Sequence, residues 1–88
     1  MLDFYFISQI KKDIRLAEKR KYDMDTVYDV ILDIIFEKPL PSRCRPHKLS
    51  GNLSKFTECH ILNDVLLLYE INETNVIFAR LGTHSDLF

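Results

Sequence analysis

Residues 65–72, VLLLYEIN, constrain this chain more than any other stretch. They are apolar almost without a break, yet far short of the ~20 residues a membrane span needs. A short run that is apolar on both faces belongs in the middle of a sheet. The segment therefore predicts a central strand, and its neighbours supply the strands beside it. KFTECHI (55–61) precedes it and NVIFARLG (75–82) follows, with Asn72-Glu73-Thr74-Asn75 as the hairpin turn. The aromatic-rich LDFYFI (2–7) predicts a further strand at the N-terminal end.

Between these strands the apolar period changes from two to about 3.6. Ser8 stands as an N-cap for a helix over about 8–20, with Ile10, Ile14 and Ala17 on one side and Lys and Arg on the other. Lys19, Arg20 and Lys21 crowd its last turn, which suits the negative end of the helix dipole. Asp23 or Asp25 caps a second helix over about 24–37. Its stripe is Val27, Ile31 and Ile34, widened by Val30 and Ile35, and Pro39 ends it. A short polar link predicts that the two helices pack as an antiparallel hairpin. The order β-α-α-β-β-β predicts an α+β fold: one domain over 1–88, two N-terminal helices on one face of a twisted, mainly antiparallel four-stranded sheet, with the first strand at an edge. Residues 38–54, with Pro39, Pro41, Pro46 and Gly51, are left as a long loop, and loops of that size are more often functional than idle.

With 47% hydrophobic and 28% charged residues, the chain has the composition of an ordinary globular domain. The apolar N-terminus lacks a basic region before it and is too short for a targeting segment. Cys44 and Cys59 form neither a CxxC pair nor a disulfide framework, so a cytoplasmic protein with reduced thiols is expected. The formal charge of −1 does not advertise a nucleic-acid binder, but its distribution does more. Residues 1–37 carry eight acids and six bases, whereas residues 38–57 hold Lys38, Arg43, Arg45, Lys48 and Lys55 and no acid. Such a patch can hold phosphates whatever the net charge, although a solvated basic loop would look the same.

The chemistry-bearing residues gather in the second half. His47 lies in the basic loop, His60 near the end of a strand, and His84 beyond the last strand. Alternation places Glu58 and His60 on one strand face, and Arg80 shares a face with Val76 and Phe78. Cutting RNA without a metal needs a base for the ribose 2′-OH, a cation for the phosphorane and an acid for the leaving 5′-oxygen. Histidine serves either proton transfer near neutral pH, arginine matches phosphate geometry, and a carboxylate can act as base or orient a histidine. Each residue also has a plain structural reading. His47 can be a loop residue, His60 a satisfied strand histidine and His84 a cap. Glu58 opposite Arg80 can be a cross-strand ion pair, and Phe88 a core plug or a loose terminus. No HxxxH, HxH or Cys–His spacing suggests a metal site.

Four segments together are more specific. PHKLSG (46–51), FTECHI (56–61), DVLLLYEI (64–71) and RLGTHSDLF (80–88) closely resemble the blocks of YafQ toxins in the RelE/ParE superfamily. Those blocks read roughly DHxLxG, FRECHI or YRDAHV, PDxLLIY and RxGTHxxLF. The resemblance spans nearly all of 39–88; residues 1–38 match only in pattern and length, with Lys12-Asp13 after the first turn of the helix. It implies a RelE-like fold and a metal-independent endoribonuclease that cuts messenger RNA in the ribosomal A site, with no cofactor. Carried onto matching positions, it implies His47, Glu58, His60, Asp64, Arg80, His84 and Phe88 as active-site residues. His84 would be the acid, one of His60, Asp64 and Glu58 the base, and Arg80, with His47 and Lys48, the support of the phosphorane. Phe88 would stack on a base. Arg43, Arg45, Lys48 and Lys55 would meet phosphates of messenger or ribosomal RNA. It also implies a cognate antitoxin protein. The chain departs from the pattern at Arg45-Pro46-His47, at Thr57 where many relatives have arginine, and at Val65 where some have tryptophan. Two alternatives stand beside this reading: a catalytically weak module acting through its antitoxin as a co-repressor, and a ParE-like inhibitor of DNA gyrase, which the histidine set disfavours.

Overall fold

The computed structural model describes residues 1–88. Its elements are β1 (Asp3–Phe6), α1 (Ser8–Lys19), α2 (Met24–Ile35), β2 (His47–Lys48), β3 (Thr57–Leu62), β4 (Val65–Ile71), β5 (Asn75–Gly82) and α3 (His84–Leu87). The α+β expectation holds, but the sheet has five strands in the order β1-β5-β4-β3-β2. Strand β2 falls inside the stretch left as a loop. Its two residues pair antiparallel with β3, His47 opposite Glu58 and Lys48 opposite Thr57. Two residues are too few to show a period, which is why the pattern missed them.

The apolar segment occupies the centre. Val65, Leu66, Leu67, Leu68 and Tyr69 of β4 are all buried. Leu67 and Tyr69 join the cluster that the helices cover, with Cys59, Ile61, Phe78 and Leu81 from the neighbouring strands. Burial pushes the Tyr69 phenol up to about 12. Val27, Val30, Ile31, Ile34 and Ile35 of α2 close the cluster from the helical side. β1 lies at an edge, as its position in the order predicts, and runs parallel to β5 in an otherwise antiparallel sheet.

The two helices lie along the sheet rather than as a pair packed mainly on each other: α1 rides on β5 and α2 on β3. Ile7, not Ser8, occupies the N-cap of α1, and no side chain caps it. At α2 the Asp23 carboxylate accepts from the Thr26 amide at 3.2 Å. Both helices close by the same device. Lys21 and Glu37 turn left-handed, with φ of 60° and 57°. The following amides then reach back into the last turn, Tyr22 to the Ala17 carbonyl at 3.1 Å and Lys38 to the Asp33 carbonyl at 2.8 Å. So α2 ends before Pro39 can end it. No helix is long and apolar enough to cross a membrane.

Candidate active site

The histidines converge along one face of the sheet. His60 projects from β3, beside Glu58 two residues earlier. The short pairing of β2 brings His47 opposite Glu58. The Glu58 carboxylate is buried, and one of its oxygens lies 3.5 Å from Nε2 of both His47 and His60. His47 is held from its other side, where Nδ1 donates to the Arg45 carbonyl at 3.1 Å. The ring centroids of His47 and His60 are 6.4 Å apart, and those of His60 and His84 6.3 Å. Phe88 continues the row, 6.0 Å beyond His84.

His84 owes its place to a local fold that begins at Gly82. Thr83 caps α3 through a reciprocal box: its hydroxyl accepts from the Asp86 amide at 3.2 Å, and the Asp86 carboxylate accepts from the Thr83 amide at 3.0 Å. Arg20, the C-cap of α1, reaches the same carboxylate at 2.7 Å and holds it well below the usual carboxylate range. The turn is tight enough that a Cβ on Gly82 would come within 2.9 Å of Asp86. Asp64, in the β3–β4 turn, meets the imidazole so presented. Its carboxylate lies 3.0 Å from His84 Nδ1 and 3.5 Å from the His84 amide. A carboxylate only accepts, so Nδ1 carries the hydrogen and Nε2 is left free. The same bond lowers the Asp64 carboxyl from its ordinary value.

The basic residues divide. Arg43 and Arg45 line an open cavity of about 430 Å³ together with His60, Ile61, Leu62 and Asn63. Arg43 is fixed there by donation to the Ile61 carbonyl at 3.3 Å, and Arg45 takes a left-handed conformation. Lys48 stands exposed on β2 beside His47. Lys55 is drawn over the Phe56 ring, 5.1 Å from its centroid. Arg80 departs from its plain structural reading. It does not pair across the sheet with Glu58, because Leu68 of β4 lies between them in the register. Its guanidinium turns to Asp13 of α1, with Nε donating at 2.8 Å and Nη2 at 3.4 Å. Thr57 is buried between Lys48 and Tyr69 and adds no charge. Asp13, Arg20 and Asp86 were not read from the sequence as residues of the site. For Asp13 the signal was present: it stands three residues after Ile10 and four before Ala17, so a helix sets a carboxylate into an apolar stripe.

A model of the YafQ family, described as the bacterial toxin of a type II toxin–antitoxin system, matches residues 2–88. The chain belongs to the YafQ toxin family. Among YafQ relatives, the mRNA interferase toxin YafQ of Escherichia coli K12 is 34% identical over 87 residues, 98% of this chain and 95% of its own length. The crystal structure of YafQ from Escherichia coli BL21(DE3) superimposes with a TM-score of 0.94 at 29% identity, over all of this chain and 99% of that one. YafQ in the Escherichia coli DinJ–YafQ toxin–antitoxin complex gives 0.91 at 32% identity, over 99% and 97%. The YafQ match covers the N-terminal half as well, where the blocks seen in the sequence gave only a pattern.

Proposed function

We propose that this protein is the toxin of a type II toxin–antitoxin pair, an mRNA interferase that cuts messenger RNA by metal-independent transesterification in the ribosomal A site. The observation that carries this reading is the row His47–His60–His84 with a carboxylate behind each end, Glu58 at one and Asp64 at the other. Two imidazoles whose centroids lie 6.3 Å apart can serve opposite sides of one phosphodiester.

His60, oriented by Glu58, takes the proton from the 2′-OH. The 2′-oxygen attacks phosphorus and the bond to the 5′-oxygen breaks. His84, oriented by Asp64, gives its proton to that oxygen, leaving a 2′,3′-cyclic phosphate and a free 5′-hydroxyl. Arg80 supports the charge on the phosphorane, while Arg43 and Arg45 hold flanking phosphates and Phe88 stacks on a base. The reaction takes place in the cytoplasm, where the messenger is translated. A cognate antitoxin neutralises the protein, by analogy with the DinJ partner of the related YafQ.

The test is to add purified protein to a translating extract and map messenger ends by primer extension, for wild type and His84→Ala. Discrete cuts that require ribosomes and vanish in the variant are expected. Intact messenger with wild-type protein, where a related toxin cuts, would leave only an antitoxin-binding module.

A further inference from the structure

Asp13 stands on α1, remote in sequence from every residue of the proposed chemistry, and is only 8% exposed. Its carboxylate is fully engaged. Oδ2 accepts from Arg80 Nε at 2.8 Å and from the Leu81 amide at 3.0 Å. Oδ1 accepts from Arg80 Nη2 at 3.4 Å and from Gln9 Nε2 at 3.1 Å. A buried carboxylate is tolerated only when so satisfied. The Leu81 amide is the decisive partner. It belongs to β5 beyond the reach of β1, whose pairing stops at Phe78, so Asp13 occupies the edge that β1 leaves open. The backbone thereby fixes the carboxylate, and the arginine has to come to it.

The consequence for Arg80 is geometric. A guanidinium has five N–H donors in a planar fork. Asp13 takes Nε and one hydrogen of Nη2, so three donors remain, two of them along the distal edge. The side chain is 32% exposed, and that edge is the part free to meet an anion. The register Glu58–Leu68–Arg80 puts the arginine on the same sheet face as Glu58.

We propose that Asp13 is a positioning residue for the cleavage reaction, aiming the free edge of Arg80 at the phosphate. This rests on the proposed nuclease function and on Arg80 acting there. The simpler role for Asp13 would be to satisfy the Leu81 amide and tie α1 to β5. Asp13→Asn bears on the two unequally. With its amide oxygen in the place of Oδ2 it still accepts from the Leu81 amide and from Arg80 Nε, while its NH2 confronts Arg80 Nη2 and the charge that holds the guanidinium is gone. The double variant isolates the part that acts through Arg80.

Single-turnover cleavage of a reporter messenger on ribosomes would be measured for wild type, Asp13→Asn, Asp13→Ala, Arg80→Ala and the double variant Asp13→Asn/Arg80→Ala. Thermal melting of each would be followed in parallel. The expected result is a loss of roughly tenfold to a hundredfold in rate for Asp13→Asn, the scale of a misplaced catalytic group, with half-saturation by ribosomes unchanged. In the Arg80→Ala background the same change costs under about twofold, because there is no arginine left to aim. Full rate in Asp13→Asn, or an equal loss in both backgrounds, overturns the inference, as does full rate in Arg80→Ala. Should Asp13→Ala unfold, Asp13→Asn alone decides. A wild type that cuts nothing overturns the proposed function instead.

Discussion

His84 and His60 are each placed by a carboxylate, but the two carboxylates live in different surroundings. Asp64 is exposed at the surface beside His84, whereas Glu58 is buried under two imidazoles. Replacing His84 with alanine should lower cutting by about 10²–10⁴-fold, the usual worth of a general acid, with little change in melting temperature because the ring is exposed. Rates and melts on one preparation check both halves. In the same variant the Asp64 carboxyl loses the bond that depresses it, so its titration, followed by carbon NMR, should move up toward about 3.9. Much of this site was legible. Alternation along β3 sets Glu58 and His60 on one face, and the blocks shared with YafQ toxins supplied Asp64, His84 and Phe88. What periodicity could not supply was partnership. His47 joins the site through two backbone pairings, and for Arg80 the plain structural reading offered Glu58 as a cross-strand partner. The pairing register inserts Leu68 between that acid and Arg80, and α1 offers a nearer one.

Among the elements, β4 and β5 were readable because long apolar runs with a turn between them admit few alternatives; β5 spans 75–82 as the sequence predicts. α3 was not, since four residues carry no period and its evidence is a cap, Thr83 answered by Asp86 three residues on. Gly82 is the other half of that signal. Gly82→Ala should displace Asp86, release α3 and cost cleavage more than stability, measured by comparing rate with melting temperature. The helix ends were hidden for a different reason. A chain with two glycines closes both α1 and α2 on non-glycine residues in the left-handed region, where an ordinary side chain is strained by about 1–2 kcal/mol. Lys21→Gly should therefore raise stability by about 1 kcal/mol in a denaturant melt.

For the molecule as a whole, the salt bridge between the C-cap of α1 and α3 links stability to acidity. Asp86 is depressed by Arg20, and Asp64 by His84. Both contribute stability above the ordinary carboxylate value of about 3.9, and the contribution is lost as pH falls through that value toward their folded values. Melting temperature should be flat near neutrality and fall below about pH 4, with a shallower fall in Arg20→Ala. The pair is partly exposed, so the effect is small beside the core. Phe78, fully buried and stacked on Phe6 at 5.0 Å between centroids, should cost about 3–5 kcal/mol when cut to alanine, read from chemical denaturation.

The seat of β5 between β1 and β4 also sets a timetable. β1 is made first, but its only neighbour in the sheet is β5, more than sixty residues later. Until residues 75–82 have left the ribosome, β1 has nothing to pair with and one side of β4 lies open. The Leu81 amide that fixes Asp13 does not yet exist, and α3 has no strand to fold back on. A contact so distant in sequence forms late. The row of histidines is therefore completed last, after β5 and the His84 that follows it have been made.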